Sequence, residues 1–313
     1  MQETPMPKKH TLPKKVEHQQ IDADRLLKLT TYASVATAII LIVAKVFAWG
    51  ASGSLSVLAS LIDSIMDAAA SIINLVAVRY ALIPADEDHK FGHGKAEALA
   101  GLGQAMFITG SAIFLLFHSI DRILHPREIE QVSVAVAIMV FSIAATAILL
   151  MLQRYTVKRT QSIAIKADSL HYAADLFTNV GIVVALMLAH FGWPGIDPIF
   201  AILIAFYVLY SAWSIVVESV NDLLDKELSE CVQQAIVKIV MSHKEVKGVH
   251  DLRTRQSGRN KIVQFHIEVG RDLPLWQAHN VAEEIERDLL AEFPEVDVII
   301  HQDPYPAQAV QAL

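Results

Sequence analysis

Apolar residues run almost unbroken through the first two-thirds of the chain, and a shorter-period pattern fills the remainder. Four stretches carry no formal charge: Ala98–Ile120, Ser133–Leu152, Leu176–Ile196 and Pro198–Val217. Each is near the roughly 20 residues that an α-helix needs to cross a hydrocarbon core about 30 Å thick. Two more stretches are interrupted. Leu29–Trp49 carries Lys45, close enough to its end to snorkel toward the boundary, and Leu55–Leu82 carries Asp63 and Asp67 inside and Arg79 near its end. The pattern predicts six membrane-spanning helices.

Beyond Asp225 charge becomes frequent and alternation appears. Ser229–Ser242 predicts an amphipathic helix with Ser229 as N-cap. His250–Gln256 and Lys261–Val269 predict strands joined by a turn at Ser257–Asn260, Ala278–Phe293 a helix stopped by Pro294, and Val296–His301 a third strand. This αββαβ order predicts a small α+β domain with one sheet and both helices on one face. The organisation is then a polar, disordered tail over 1–24, a six-helix transmembrane domain over 25–219 and a C-terminal domain over 220–313.

Composition sharpens this picture. The 313 residues are 53% hydrophobic and 19% charged, against about 25% charge in soluble domains. A net charge of −7 lacks the basic excess of a nucleic-acid binder. The lone cysteine excludes internal disulfides and thiolate metal knuckles. The polar N-terminus has no apolar core and so predicts no cleavable signal. Lysine and arginine collect before the first span, between the second and third, and between the fourth and fifth. By the positive-inside rule both termini are cytoplasmic.

The charges inside the spans carry the candidate chemistry, since each costs about 2.5–3.5 kcal/mol near a helix centre even on insertion scales. Asp63 and Asp67 are spaced i, i+4, as are His171 and Asp175, with Asp168 one turn earlier. Each pair shares a helix face, so two facing pairs present three carboxylates and an imidazole. That set suits tetrahedral Zn²⁺ and accepts Fe²⁺, Mn²⁺ or Cd²⁺. The bland alternative is structural pairing, but Arg79 lies more than three turns from either aspartate, and the fifth span offers no cation except His171 itself and Lys166. A second cluster, Asp86, His89 and His93, lies in a loop where Gly92 and Gly94 let the backbone fold back. A third comes from the C-terminal domain, where His250, His266, His279, His301 and Asp303 stand near element ends. In that domain His266 shares the polar face of its strand with Gln264 and Glu268, opposite Val263, Phe265 and Ile267.

DSIMD in the second span, FGHGKAE in the loop, HYAAD in the fifth span, and HDLRTRQSG and VIIHQDP in the tail together resemble the bacterial cation diffusion facilitators of the ferrous-iron and zinc efflux type. The likeness covers the chain from about residue 25. It implies a homodimer in the bacterial inner membrane, six spans, and a cytoplasmic domain of metallochaperone-like, ferredoxin-like fold. It implies a transport site of Asp63, Asp67, His171 and Asp175, a loop site of Asp86, His89 and His93, and a binuclear site from His250, His266, His279, His301 and Asp303. It also implies a charge interlock of Lys95 and Asp225 where protomers meet. The polar tail has no counterpart in the pattern.

These ligands bind metal only when deprotonated, so metal and protons compete, and imidazole titrates near neutrality. The expectation is a proton-coupled antiporter carrying Zn²⁺, with Fe²⁺ or Cd²⁺ as alternative cargo, and no enzymatic activity. Three rivals are a channel, a metal sensor that does not transport, and an intramembrane hydrolase built on the GASG of Gly50–Gly53. The last has no histidine near its serine, no GxGD context for the aspartates and no HExxH.

Overall fold

The computed structural model describes residues 14–52, 55–124, 132–190 and 197–305. Six long helices come first: α1 (Lys14–Ser52), α2 (Leu55–Ala81), α3 (Ala96–Leu124), α4 (Val132–Thr160), α5 (Ile163–His190) and α6 (Asp197–Leu223). After them come α7 (Glu230–Met241), β1 (Val246–Ser257), β2 (Asn260–Val269), α8 (Leu275–Glu292) and β3 (Val296–Pro304). A helical unit spans Asp24–Leu224, and Asp225–Leu313 fall in a second unit.

The helical unit buries polar side chains alongside its small apolar clusters and exposes large apolar ones. Phe47, Phe114 and Phe117, with Leu203, Phe206, Tyr210 and Trp213 of α6, are exposed, while Thr30, Ser34, Ser71, Asn74, Gln153 and Asp168 are buried. An aqueous surface would not tolerate so much contiguous apolar area; a bilayer requires it. Among the described residues five helices hold segments long and apolar enough to cross a membrane: Ile21–Ala51, Ser60–Ala81, Ala96–Asp121, Ala137–Thr160 and Pro198–Leu223. Helix α5 is not among them. Lys166, Asp168, His171 and Asp175 fill its first half, and residues 191–196, which complete its expected apolar run, lie outside the described residues.

Helix α1 begins at Lys14, well before the expected end of the polar tail at residue 24. The stretch after Pro13 contains neither proline nor glycine to stop a helix. Likewise α6 runs on to Leu223, past the expected domain boundary at 219, because backbone hydrogen bonding continues after apolarity ends. Asp225 then turns the chain with a left-handed φ of 58°, a conformation that aspartate tolerates better than most residues. Gly53, which completes the GASG motif, and residues 125–131 lie outside the described residues.

Small residues let α3 approach its neighbours. Ala98, Ala105, Ile108 and Ala112 of α3 pack with Ile163, Ala167 and Leu170 of α5 and with Val208, Ala212 and Ile215 of α6. At Gly101 an added Cβ would fall 2.6 Å from Ile163 Cγ2 and 3.0 Å from Ser219 Oγ. Close contact through small side chains is the main source of helix association in a bilayer, where lipid competes for apolar surface.

In the second unit the sheet order is β1-β2-β3, with β1 antiparallel and β3 parallel to β2. Val263, Phe265, Ile267 and Val269 face α7 and α8 in one core with Ile236, Val240, Ile285 and Leu289. The αββαβ order and the placement of both helices on one face agree with the sequence pattern. Ser229 stands at the head of α7, but its hydroxyl makes no capping bond; its carbonyl accepts from the amides of Val232 and Gln233 instead.

Gly101→Ala is expected to cost about 1–3 kcal/mol by overpacking, read as a lowered melting temperature in detergent. Gly103→Ala, where nothing lies within 4 Å of an added Cβ, should leave the melting temperature near that of the parent.

Candidate metal centres

Helices α2 and α5 bring Asp67, His171 and Asp175 together. His171 Nε2 lies 2.9 Å from Asp67 Oδ1 and 3.6 Å from Asp175 Oδ2. One ligand atom from each falls within 4.8 Å of the others. The imidazole is buried between the rings of Phe107 and Tyr172, at 5.9 and 5.6 Å between centroids. The three residues line a cavity of about 630 Å³ inside the helical unit. Asp63 lines the same cavity but lies outside that ligand group.

Buried polar side chains hold this site in place. Asp168, fully buried one turn before His171, accepts from Ser34 Oγ at 2.7 Å and Gln153 Nε2 at 2.8 Å, tying α5 to α1 and α4. Tyr172 donates to the Ser34 carbonyl at 3.2 Å and meets the Ser71 hydroxyl at 2.9 Å. Neither Arg79 nor Lys166 serves the structural-pairing alternative: Arg79 lies over the Tyr32 ring, and Lys166 is bound to Glu218. Sequence reasoning missed Lys45. Expected to snorkel, it donates instead to Ser60 O at 3.0 Å and Ser64 Oγ at 2.7 Å on α2.

The loop after α2 also converges. Asp86 Oδ1 lies 3.3 Å from His89 Nδ1, and Oδ2 lies 3.3 Å from His93 Nε2. His93 is buried against Tyr80, and its Nδ1 is 3.2 Å from the Ile83 carbonyl. Donation there leaves the Nε2 lone pair directed toward Asp86 and able to coordinate a metal ion, the arrangement that orients metal-binding imidazoles. The His89 amide donating to Asp86 holds its carboxyl below the usual value, helped by the Asp88 amide and the two imidazoles. Gly92 supplies the turn with φ 77°, whereas Gly94 adopts no left-handed conformation.

The third cluster follows from strand register. His250 pairs with His266 across the antiparallel ladder, and His266 with His301 across the parallel one. The three rings form a row, 5.1 and 4.5 Å apart, on the face opposite α7 and α8. Asp303, two residues beyond His301, reaches all three: 2.9 Å to His266 Nδ1, 3.4 Å to His250 Nε2 and 3.1 Å to His301 Nε2. The His266 hydrogen bond, reinforced by the neighbouring imidazoles, holds the Asp303 carboxyl below its ordinary value.

His279 stays out of these groups and pairs with Glu283 at 3.3 Å, since its helix packs on the other side of the sheet. Asp251 is an addition, grouped with His250 and His266. Strict alternation would send it to the opposite face; a register shift between His250 and Arg253 and a φ of 50° bring it round. Of the interlock residues, Lys95 donates to the Leu223 carbonyl at 3.3 Å, and Asp225 accepts from Arg255 at 3.3 Å.

Comparison with known proteins matches residues 31–224 to the cation efflux transmembrane domain and 228–305 to the cation efflux protein cytoplasmic domain. Two relatives called cation-efflux pump FieF, from Salmonella arizonae and Salmonella schwarzengrund, are each 48% identical over 280 residues, covering 90% of this chain and 93% of theirs. Among solved structures, a CzrB chain shares 31% identity with a TM-score of 0.25 over 25% of this chain and 99% of its own. A nickel form of the MamM CTD shares 23%, with a TM-score of 0.24 over 25% of this chain and 100% of its own.

Asp303 is expected to remain ionised to below the usual carboxylate pKa of about 3.9. Its attraction for the histidines is then complete above that value and lost only as pH falls through the lowered one. A titration of labelled aspartate carboxyl carbons by NMR checks this; a midpoint at or above the ordinary value contradicts it.

Proposed function

The chain belongs to the cation efflux family, and from that premise we propose that it exports divalent metal ions from the cytoplasm in exchange for protons by alternating access. It is a multi-pass membrane transporter and not an enzyme. Zn²⁺ is the first candidate for cargo, with Fe²⁺ and Cd²⁺ as alternatives. The observation that carries this reading is the convergence of Asp67, His171 and Asp175 in a cavity between membrane helices. Carboxylates and imidazole there are costly unless they serve an ion pathway, and this donor set fits a borderline divalent cation.

In this reading Asp63 completes the set once the ion is bound. Protons and metal compete for the same lone pairs, so the inward-facing site releases protons and takes metal, while protonation from the acidic outer side expels it. Helix α5 is the sixth span, its charged half packed inside the bundle. Both termini are cytoplasmic and the membrane is the bacterial inner one. The loop triad, on the rim after α2, gives ions a first landing point. The cluster of His250, His266, His301 and Asp303 senses cytoplasmic metal and stabilises a homodimer, whose protomers Lys95 and Asp225 hold in register.

Proteoliposomes with an imposed pH gradient, challenged with Zn²⁺, Fe²⁺, Cd²⁺ and Mn²⁺, test this. Asp67→Ala, His171→Ala and Asp175→Ala are each expected to lower proton-coupled uptake by at least about tenfold, the scale of losing a metal contact. Metal flux without proton counterflow would make the protein a channel, and binding without flux a sensor. His266→Ala should weaken metal-dependent dimer stability while leaving transport-site affinity near the parental value.

A further inference from the structure

The cavity that holds Asp63, Asp67, His171 and Asp175 also contains a cation supplied by the chain. Lys45 of α1 lines it and, among the described residues, is the only lysine or arginine that does. Its head group has a built seat. Two of the three ammonium donors are taken by the Ser60 carbonyl and by the hydroxyl of Ser64, a residue 1% exposed. That seat is on the turn of α2 bearing Asp63, one turn before Asp67.

Among the described residues Lys45 lies within ion-pair distance of none of the three carboxylates. Their lone pairs therefore stay available to an incoming ion. The charge is felt all the same, because Lys45 lines one cavity with Asp63, Asp67 and Asp175 and acts on them through space across it.

We propose that Lys45 is the fixed counter-charge of the transport site, setting its net charge to match a divalent cation. The inference rests on the reading that Asp63, Asp67, Asp175 and His171 take the transported ion. Three ionised carboxylates and a neutral imidazole carry −3; with Lys45 the cavity carries −2. A divalent cation then brings it to neutrality, the state least penalised by low-dielectric surroundings. Without Lys45 the loaded site retains one negative charge, which holds the metal more tightly and opposes release. Lys45 therefore acts as a specificity and release residue, contributing repulsion where Asp67, His171 and Asp175 contribute attraction. Coulomb repulsion between like charges sharing one cavity of intermediate dielectric is large enough to move affinity by an order of magnitude.

Steady-state Zn²⁺ uptake by proteoliposomes containing the full chain separates affinity from turnover. Lys45→Met is expected to lower KM about tenfold and to lower kcat by a similar factor, because release becomes limiting. Lys45→Arg, which keeps the charge, is expected to stay within about twofold of the parent. Lys45→Gln retains a donor for Ser60 and Ser64 without charge; it should follow Lys45→Met and serves in its place if that variant does not insert. A KM that is unchanged or raised in the uncharged variants overturns the proposal, as does a Lys45→Arg variant that behaves like Lys45→Met. Failure of the underlying reading is seen separately: a parental protein with no proton-coupled uptake, or one unaffected by Asp175→Ala, removes the transport site without reference to any Lys45 variant.

Discussion

The structure depends on one constraint: carboxylates held inside a membrane need compensation, and this chain draws it from several sources. Asp168 is buried outright, and its Oδ2 accepts hydrogen bonds from Ser34 and Gln153. Asp67 and Asp175 share His171, and the ammonium of Lys45 offsets part of their charge from a distance. The helical bundle is arranged around these needs, with hydroxyls and amides turned inward and aromatic and branched side chains turned to lipid. In the bilayer the gain from apolar contact between helices is small, so polar contacts and close small-residue packing fix which helices touch.

The cytoplasmic domain meets the opposite problem. Water drives Phe265, Ile267, Val263 and the helix residues Ile236, Ile285 and Leu289 into one core, and that burial leaves the other face of the sheet free for polar chemistry. The row of His250, His266 and His301 follows from two ladder registers set elsewhere, by the core-facing residues of the same strands. Asp303, one alternation beyond His301, closes the cluster.

Much of this was legible in the residues, and the parts that were not share a cause. Runs of apolar residues revealed α1–α4 and α6, and alternation revealed β2 and the face of His266. Spacing placed Asp67 with Asp175 and His171, and the loop triad with its turn at Gly92. The misses arise where direction or chain continuity matters more than residue type. Lys45 looked like a snorkelling lysine because composition does not say which way a flexible side chain turns. Asp251 joined its cluster through a bulge that no alternation rule reveals. His279 fell outside because helix and histidine row lie on opposite sides of the sheet. The early start of α1 and the late end of α6 reflect backbone hydrogen bonding that persists beyond the apolar run.

β2 serves both the core and the histidine row, residue by residue. Odd positions from Val263 to Val269 fill the core, and even positions from Gln264 to Glu268 face the other side. Conservative exchange at any one position disturbs one task only. A change of length is different: deleting a single residue within the strand would exchange the two sets, delivering His266 to the helices and Phe265 to the ligands. β2 therefore tolerates substitution but not insertion or deletion.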